Sequence, residues 1–409
     1  MAKQTTSNVP KIRFKGFEGE WIEDVLDERV EFFTGLTYSP HNVQNGFGTL
    51  VLRSSNVKNG EIVDADDVYV DSKIVNSKNV EVGDIAVVVR NGSRSLIGKH
   101  AQIKAKMENT VIGAFMTGIH SERPTFTNAL LDTTQFDKEI AKNLGATINQ
   151  ITTGAFKKMM FHFPSPAEQT KIGGYFRELD RLIGLHQRKH DKLVTLKKAM
   201  LQKMFPQHGA TTPEIRFKGF SGEWVEKRLE EICEIVGGGT PSTSIQEYWG
   251  GDIDWYSPTE IGDEVYASGS LKKITLLGLS KSSARLLPPG KTVLFTSRAG
   301  IGDMAILTKE GCTNQGFQSM VLSDDMDPYF IFSMGHLIKI HALKYASGST
   351  FLEVSSKQLG KMKILLPKEY EQQKIGTYFR QLDELISKHA TQLKKLKQIK
   401  SACLKKMFV

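Results

Sequence analysis

The chain has 409 residues, with 54 Lys and Arg against 45 Asp and Glu, a net charge of +9 and three cysteines. That length supports two or three domains, each able to bury its own core. Cys233, Cys312 and Cys403 form no CxxC pair, which argues against a disulfide framework and a zinc site, and no apolar run approaches the roughly 20 residues that span a bilayer.

In chain order, the first element is an opening motif. Pro10 to Glu28 reads PKIRFKGFEGEWIEDVLDE, and 203 residues later Pro213 to Glu231 reads PEIRFKGFSGEWVEKRLEE, identical at 13 of 19 positions. The start MAKQTTSNVPKIRF has no apolar signal-peptide core, so the expectation is an unprocessed, cytoplasmic protein. Next comes a variable region in which the apolar run Ile85 to Val89 reads as a strand entering the turn Ser93 to Gly98. From Pro166 the sequence turns helical: Ile172, Phe176, Leu179 and Ile183, then Leu193, Leu196, Met200 and Met204, make a heptad-like seam behind Pro164.

The second half repeats this order. Thr292 to Thr296 reads as a strand entering the turn Ser297 to Gly302, and Asp327 and Pro328 read as N-cap and first residue of a helix. Gly145-Ala146-Thr147 corresponds to Gly348-Ser349-Thr350. LPKEYEQQKIGTYFRQLDELI from Leu366 repeats FPSPAEQTKIGGYFRELDRLI from Phe163, again 203 residues on, with a seam of Ile375, Phe379, Leu382, Ile386, Leu393 and Leu396. The expected fold is α+β, with two globular domains of similar fold separated by two long helices packed as an antiparallel coiled coil, pseudo-two-fold and pseudo-cyclic. Residues 1–165 and 207–368 are the expected globular domains, and 166–206 and 369–409 the helices. The pseudo-cyclic arrangement predicts that the second helix ends near the motif at Pro10.

The two helical stretches each carry nine basic against four acidic residues, so together they exceed the whole net charge. Basic helices suit either a solvated face or a polyanionic partner. Searching for catalysis, Gly290-Lys291-Thr292 fails as a P-loop because Arg285 stands where its first glycine belongs. Asp327-Pro328-Tyr329-Phe330 resembles an amino-methyltransferase element but lacks its second proline. Neither an HExxH sequence nor a nucleophile elbow occurs. These failures shift weight toward a binding protein, with a stand-alone methyltransferase or nuclease, or a bivalent protein-interaction scaffold, as alternatives.

The repeated IRFKGFxGEW openings at Ile12 and Ile215, the EQxKIGxYFRxLDxLI helices at Glu168 and Glu371, and GGGTPSTSIQEYWGGDIDWYS from Gly237 resemble the specificity subunit of type I restriction-modification enzymes over essentially the whole chain. Leu36 to Pro40 followed by Leu52 to Asn56 resembles another target-recognition-domain type of that family. The resemblance implies a non-catalytic DNA-binding subunit in which each variable domain reads one half of a bipartite, asymmetric site. It implies helices that set the separation and dock two methyltransferase subunits, with restriction/translocase subunits joining them. No cofactor is then expected on this chain, with S-adenosylmethionine, ATP and Mg on the partner subunits.

Base edges are read by side chains with paired hydrogen-bonding atoms, Arg on guanine and Asn or Gln on adenine. The candidates in the first domain are Arg53, Ser54, Ser55, Asn56, Arg90, Asn91 and Arg94, with Lys99 on phosphate. In the second they are Tyr256, Ser257, Thr259, Ser297, Arg298, Asn314, Gln315 and Gln318, with Ser349 and Thr350 on the backbone. Arg94 and Arg298 occupy matched turns, which suits a shared DNA-facing role or a shared structural brace.

Overall fold

The computed structural model describes residues 8–409 apart from 145–148, 208, 263, 299 and 349–351. The chain divides into two compact units, one made of residues up to Gln187 together with Thr391–Val409, the other of Arg188–Ala390. Both dividing points fall inside long helices, Pro166–Lys203 and Glu369–Met407. Each unit therefore owns the start of one long helix and the end of the other.

The repeated opening motif explains that exchange. In the first unit Ile12 N–H donates to the Lys406 carbonyl at 2.9 Å, and Trp21, 2% exposed, packs edge-on to Phe408 at 6.0 Å. In the second, Ile215 N–H donates to the Lys203 carbonyl at 2.9 Å, and Trp224 meets Phe205 edge-on at 6.2 Å. The predicted return of the second helix to the motif near Pro10 is what the structure has.

The start of the other long helix is clamped by charge. Arg13 grips Glu168 with two bonds of 2.7 Å, and Arg216 grips Glu371 at 2.6 and 2.7 Å. Both glutamates are buried, an otherwise costly position for a carboxylate. One glycine per helix permits close contact with the globular part. A Cβ on Gly173 would stand 2.5 Å from Phe126 N, and one on Gly376 would stand 2.1 Å from Asp327 Oδ1. The predicted N-cap is present, since Asp327 Oδ1 accepts from Phe330 N–H at 2.7 Å ahead of the helix Pro328–Ser333.

Within each unit the two helix segments run antiparallel. In the first, Tyr175 meets Cys403 at 3.4 Å and, further along, Asp180 meets Lys400 at 2.6 Å, so one helix advances as the other retreats. In the second, Lys197 meets Asp383 at 2.5 Å and Phe205 stacks on Phe379 at 6.0 Å. The predicted seam supplies the packing: Ile172, Phe176 and Leu179 are buried in one unit, Ile375, Phe379 and Leu382 in the other.

Each globular part is built mainly on two sheets, beside smaller two-stranded pairings. In the first unit an antiparallel sheet runs Glu31–Thr34, Met116–His120, Ile85–Val88, His100–Gln102. Its partner sheet runs Thr110–Ile112, Thr49–Leu52, Val68–Val70, Val43–Gln44, the first pair parallel. In the second unit the first four strands of a five-stranded sheet, Cys233–Gly237, Gln318–Leu322, Thr292–Phe295 and Met304–Leu307, follow the same order. There Trp249–Tyr256 lies between Lys272–Ile274 and a parallel Gly311–Thr313. Apolar side chains fill the space between sheets, among them Leu52, Ala86, Val88 and Ile112 in one unit and Val236, Tyr256, Leu294 and Phe317 in the other. Both variable regions are thus one fold, as their matched fragments suggested.

Candidate nucleic-acid interface

The sequence-predicted residues fall where strands of the two sheets end and their connections gather. In the first unit, Leu52 and Ile112 are register partners at the ends of parallel strands, and Gly113 N–H donates to the Leu52 carbonyl at 2.8 Å. Arg53 to Asn56 follow one strand end, and Arg90 and Asn91 follow Ile85–Val88. The two groups meet: Asn91 Nδ2 donates to Ser54 Oγ at 2.9 Å. Asn91 is held further, its Oδ1 accepting from Ser93 N–H at 2.9 Å. Arg90 and Arg94 are exposed, Lys99 is half-buried, and Arg90 lies over the Phe115 ring at 4.8 Å.

Other candidates in this group brace the loops. Asn56 is 1% exposed; its Nδ2 donates to the Val63 and Ala65 carbonyls and to Asp67, while its Oδ1 accepts from Arg53 N–H at 2.9 Å. Its amide is committed to the fold. Arg53 Nη2 reaches the Asp66 carbonyl, whereas Arg53 Nε and Ser55 Oγ are buried with no hydrogen-bond partner.

The second unit uses the same frame with different chemistry. Ser257 N–H donates to Glu260 at 2.8 Å just as Arg53 N–H donates to Asn56, so the two short turns share one cap. Ser257 Oγ also meets Thr259 at 3.1 Å. Asn314 N–H donates to the Tyr256 carbonyl at 3.0 Å, and Ser297 N–H to the Gly316 carbonyl at 2.8 Å, which draws three strand ends together. Thr259 and Gln315 are exposed, and Gln315 accepts from Thr240, a partner the sequence did not suggest. Tyr256 and Ser297 are buried, and their hydroxyls, with Gln318 Oε1, lack hydrogen-bond partners. Burial first, then the charges of Asp254 and Glu260, push the Tyr256 phenol up to about 12. Ser349 and Thr350 lie outside the described residues, as does the segment Gly145-Ala146-Thr147.

The two arginines matched by sequence are related differently in space. Gly98 N–H bonds the Val88 carbonyl ten residues back, while Gly302 N–H bonds the Thr296 carbonyl six residues back. Counted back from the glycine, Arg298 matches Arg94. Counted forward from the strand it matches Arg90, because Val89 N–H and Ser297 N–H donate to the corresponding carbonyls of Phe115 and Gly316. The extra residues of the first loop hid this second correspondence. It extends to the neighbouring segment: Arg90 bridges Gln150 through the backbone, and Arg298 lies 4.0 Å from Glu353, so its charge is partly answered.

The first unit therefore presents an arginine-rich edge and the second a predominantly neutral, hydrogen-bonding one. All three cysteines are free, two of them buried. Among the described residues no group of His, Cys, Asp or Glu is placed to hold a metal, and no helix is long and apolar enough to cross a membrane.

A family model described as "Type I restriction modification DNA specificity domain" matches residues 221–398. The type I restriction enzyme MjaIX specificity subunit of Methanocaldococcus jannaschii is 35% identical over 194 residues, 46% of this chain and 44% of that protein. The chain thus spans less than half of that relative's length. The HindI specificity subunit of Haemophilus influenzae is 22% identical over 71% of this chain and 78% of its own. The crystal structure of a type I restriction-modification S subunit from M. genitalium superposes with a TM-score of 0.66 at 16% identity, covering 98% of this chain and 99% of that one, so the fold is shared throughout. The repeated clamps and paired sheets thus accompany a specificity-domain match over residues 221–398 and, over nearly the whole chain, the fold of a type I restriction-modification S subunit.

Proposed function

We propose that the chain is the DNA sequence-reading subunit of a type I restriction-modification complex, each globular part reading one half of a bipartite, asymmetric site. One observation carries this reading: the same strand ends, on two copies of one fold, present different polar side chains. A shared frame with divergent edges suits two different short sequences, because phosphate contacts position a protein while base-edge contacts specify its site. Arg90, Arg94, Asn91 and Ser54 are the foremost readers of the first half, with Lys99 on phosphate. Thr259, Gln315, Asn314, Arg298 and Gln318 serve the second. Asn56, Tyr256 and Ser297 hold the loops that carry them.

The long helices act as spacer and as docking elements for two methyltransferase subunits and for restriction/translocase subunits, in the cytoplasm. S-adenosylmethionine, ATP and Mg belong to those partners, and this chain binds none of them. Mapping DNA methylation in a host with matched methyltransferase subunits, with and without this chain, tests the function. A new split motif that depends on the chain is the expected result. Its absence, with the assembled complex demonstrated, would leave a protein-interaction scaffold.

A further inference from the structure

Phe115 presents a phenyl ring that is 54% exposed on a turn whose backbone is held from several sides. Its carbonyl accepts from Val89 N–H at 3.0 Å and Arg90 N–H at 3.2 Å; Ala114 N–H before it donates to the Leu36 carbonyl, and Met116 N–H after it to the Gly113 carbonyl. One exposed aromatic residue needs no explanation in itself. This one stands on the edge that gathers the candidate readers, beside Gly113, which is bonded to Leu52, and beside Arg90, whose guanidinium covers the ring at 4.8 Å. Phe47, 63% exposed, offers a contrast, for it precedes Thr49–Leu52 and so lies at the opposite end of the strand that leads to Arg53.

Resting on the DNA-reading function proposed above, we infer that Phe115 is a wedge that inserts at a base step of the first half-site and partly unstacks it. Arg90, a reader of the same half-site, steadies one face of the ring. A planar apolar side chain fixed on rigid backbone enters a base step at little cost in its own entropy, and a kinked step brings more of the strand-end surface onto the duplex. Stacking against a base needs no particular sequence, so the wedge adds affinity and deformation while the polar neighbours specify.

The second unit has no aromatic side chain at the matching position. Gly316 occupies the matching place, bonded to Ser297 as Phe115 is to Val89, and a Cβ there would stand 2.7 Å from Pro258 Cγ and 2.9 Å from Asn314 Oδ1. At this position, therefore, the second unit carries no wedge, and the second half-site is not opened from here.

The test uses the full chain without methyltransferase subunits, on the duplex identified by methylation mapping, with 2-aminopurine placed in turn through each half-site. Wild-type chain should brighten the probe at one step of the first half-site and leave the second dark. Phe115→Ala should abolish the brightening and weaken binding roughly tenfold or more, the loss that follows removal of one base–aromatic stack. Phe115→Trp should retain both, and Phe47→Ala should match wild type. Binding to the mapped duplex without brightening in the first half-site, or a Phe115→Ala chain indistinguishable from wild type, overturns the wedge and leaves DNA reading intact. A chain that prefers the mapped duplex no more than a scrambled one overturns both.

Discussion

Replacing Arg13 by alanine should strand the Glu168 carboxylate. That side chain is 1% exposed, and both its oxygens are held at 2.7 Å by Arg13, which is itself 14% exposed. Breaking one side of a buried, bidentate ion pair costs about 3–5 kcal/mol, because the remaining charge is left in low dielectric. The partial exposure of Arg13 admits some water to the vacated space, which favours the low end, about 3 kcal/mol. The carbonyls of Glu18 and Gly19 also lose donors, but they face solvent, and water replaces the arginine there. About 3 kcal/mol is a hundredfold or slightly more in local opening, so hydrogen exchange followed by mass spectrometry should show that acceleration in peptides from residues 10–28 and 163–180. Adding Glu168→Gln should restore much of the loss, since a neutral amide tolerates burial better than an unpaired carboxylate. Arg216→Ala should behave alike in the second unit, where Glu371 is held at 2.6 and 2.7 Å. The reasoning fails if Arg13→Ala costs under about 0.5 kcal/mol, the size of an ordinary surface change, or if Glu168→Gln deepens the defect.

Neighbouring glycines should answer alanine with opposite signs. Gly173→Ala forces a methyl to 2.5 Å from Phe126 N and should cost about 1–3 kcal/mol in urea unfolding, whereas Gly174, with nothing within 4 Å of its Cβ position, should gain about 0.5–1 kcal/mol. Acid stability should depend on Asp132. Burial raises its pKa, but the hydrogen bond and charge of His100, with Lys400 at 2.6 Å, outweigh that and bring it to about 2. A depressed carboxylate contributes stability that is present above its unfolded value near 4 and is lost as pH falls through about 2. Asp132→Asn should therefore flatten the decline in melting temperature between about pH 4 and 2. Arg94→Ala should lower the slope of log affinity against log salt by about one if the side chain contacts phosphate. If Arg94 instead reads a guanine, the same change costs about 1–3 kcal/mol and relaxes one base position; an unchanged slope and unchanged preference would remove Arg94 from the interface.

Much of the frame is legible in the amino-acid sequence. Closely matching motifs 203 residues apart required two copies of one unit, and the spacing of apolar residues required long helices, because a buried stripe on an α-helix must recur every three or four positions. The N-cap Asp327 and the strands before the turns at Ser93 and Ser297 were equally local, each set by side chains within a few residues. Composition and failed motifs weighed against catalysis but could not name a ligand.

Tertiary structure decided what depends on residues far apart in the chain. The role of Arg13 became visible only when Glu168, 155 positions away, was seen to bind it. The bond between Asn91 and Ser54, the commitment of Asn56 to the interior, and the match of Arg298 to Arg90 all follow from strand register, which a loop of different length conceals in the sequence. Phe115 gave no periodic signal, since one aromatic residue in a turn belongs to neither a helical nor a strand pattern. Its exposure, and the cation over its face, arise from backbone bonds that hold the turn away from the core. The sequence by itself determined the repeat and its helices, because those are written in local spacing; packing decided which polar groups brace the loops and which face outward, because burial is a property of the assembled fold.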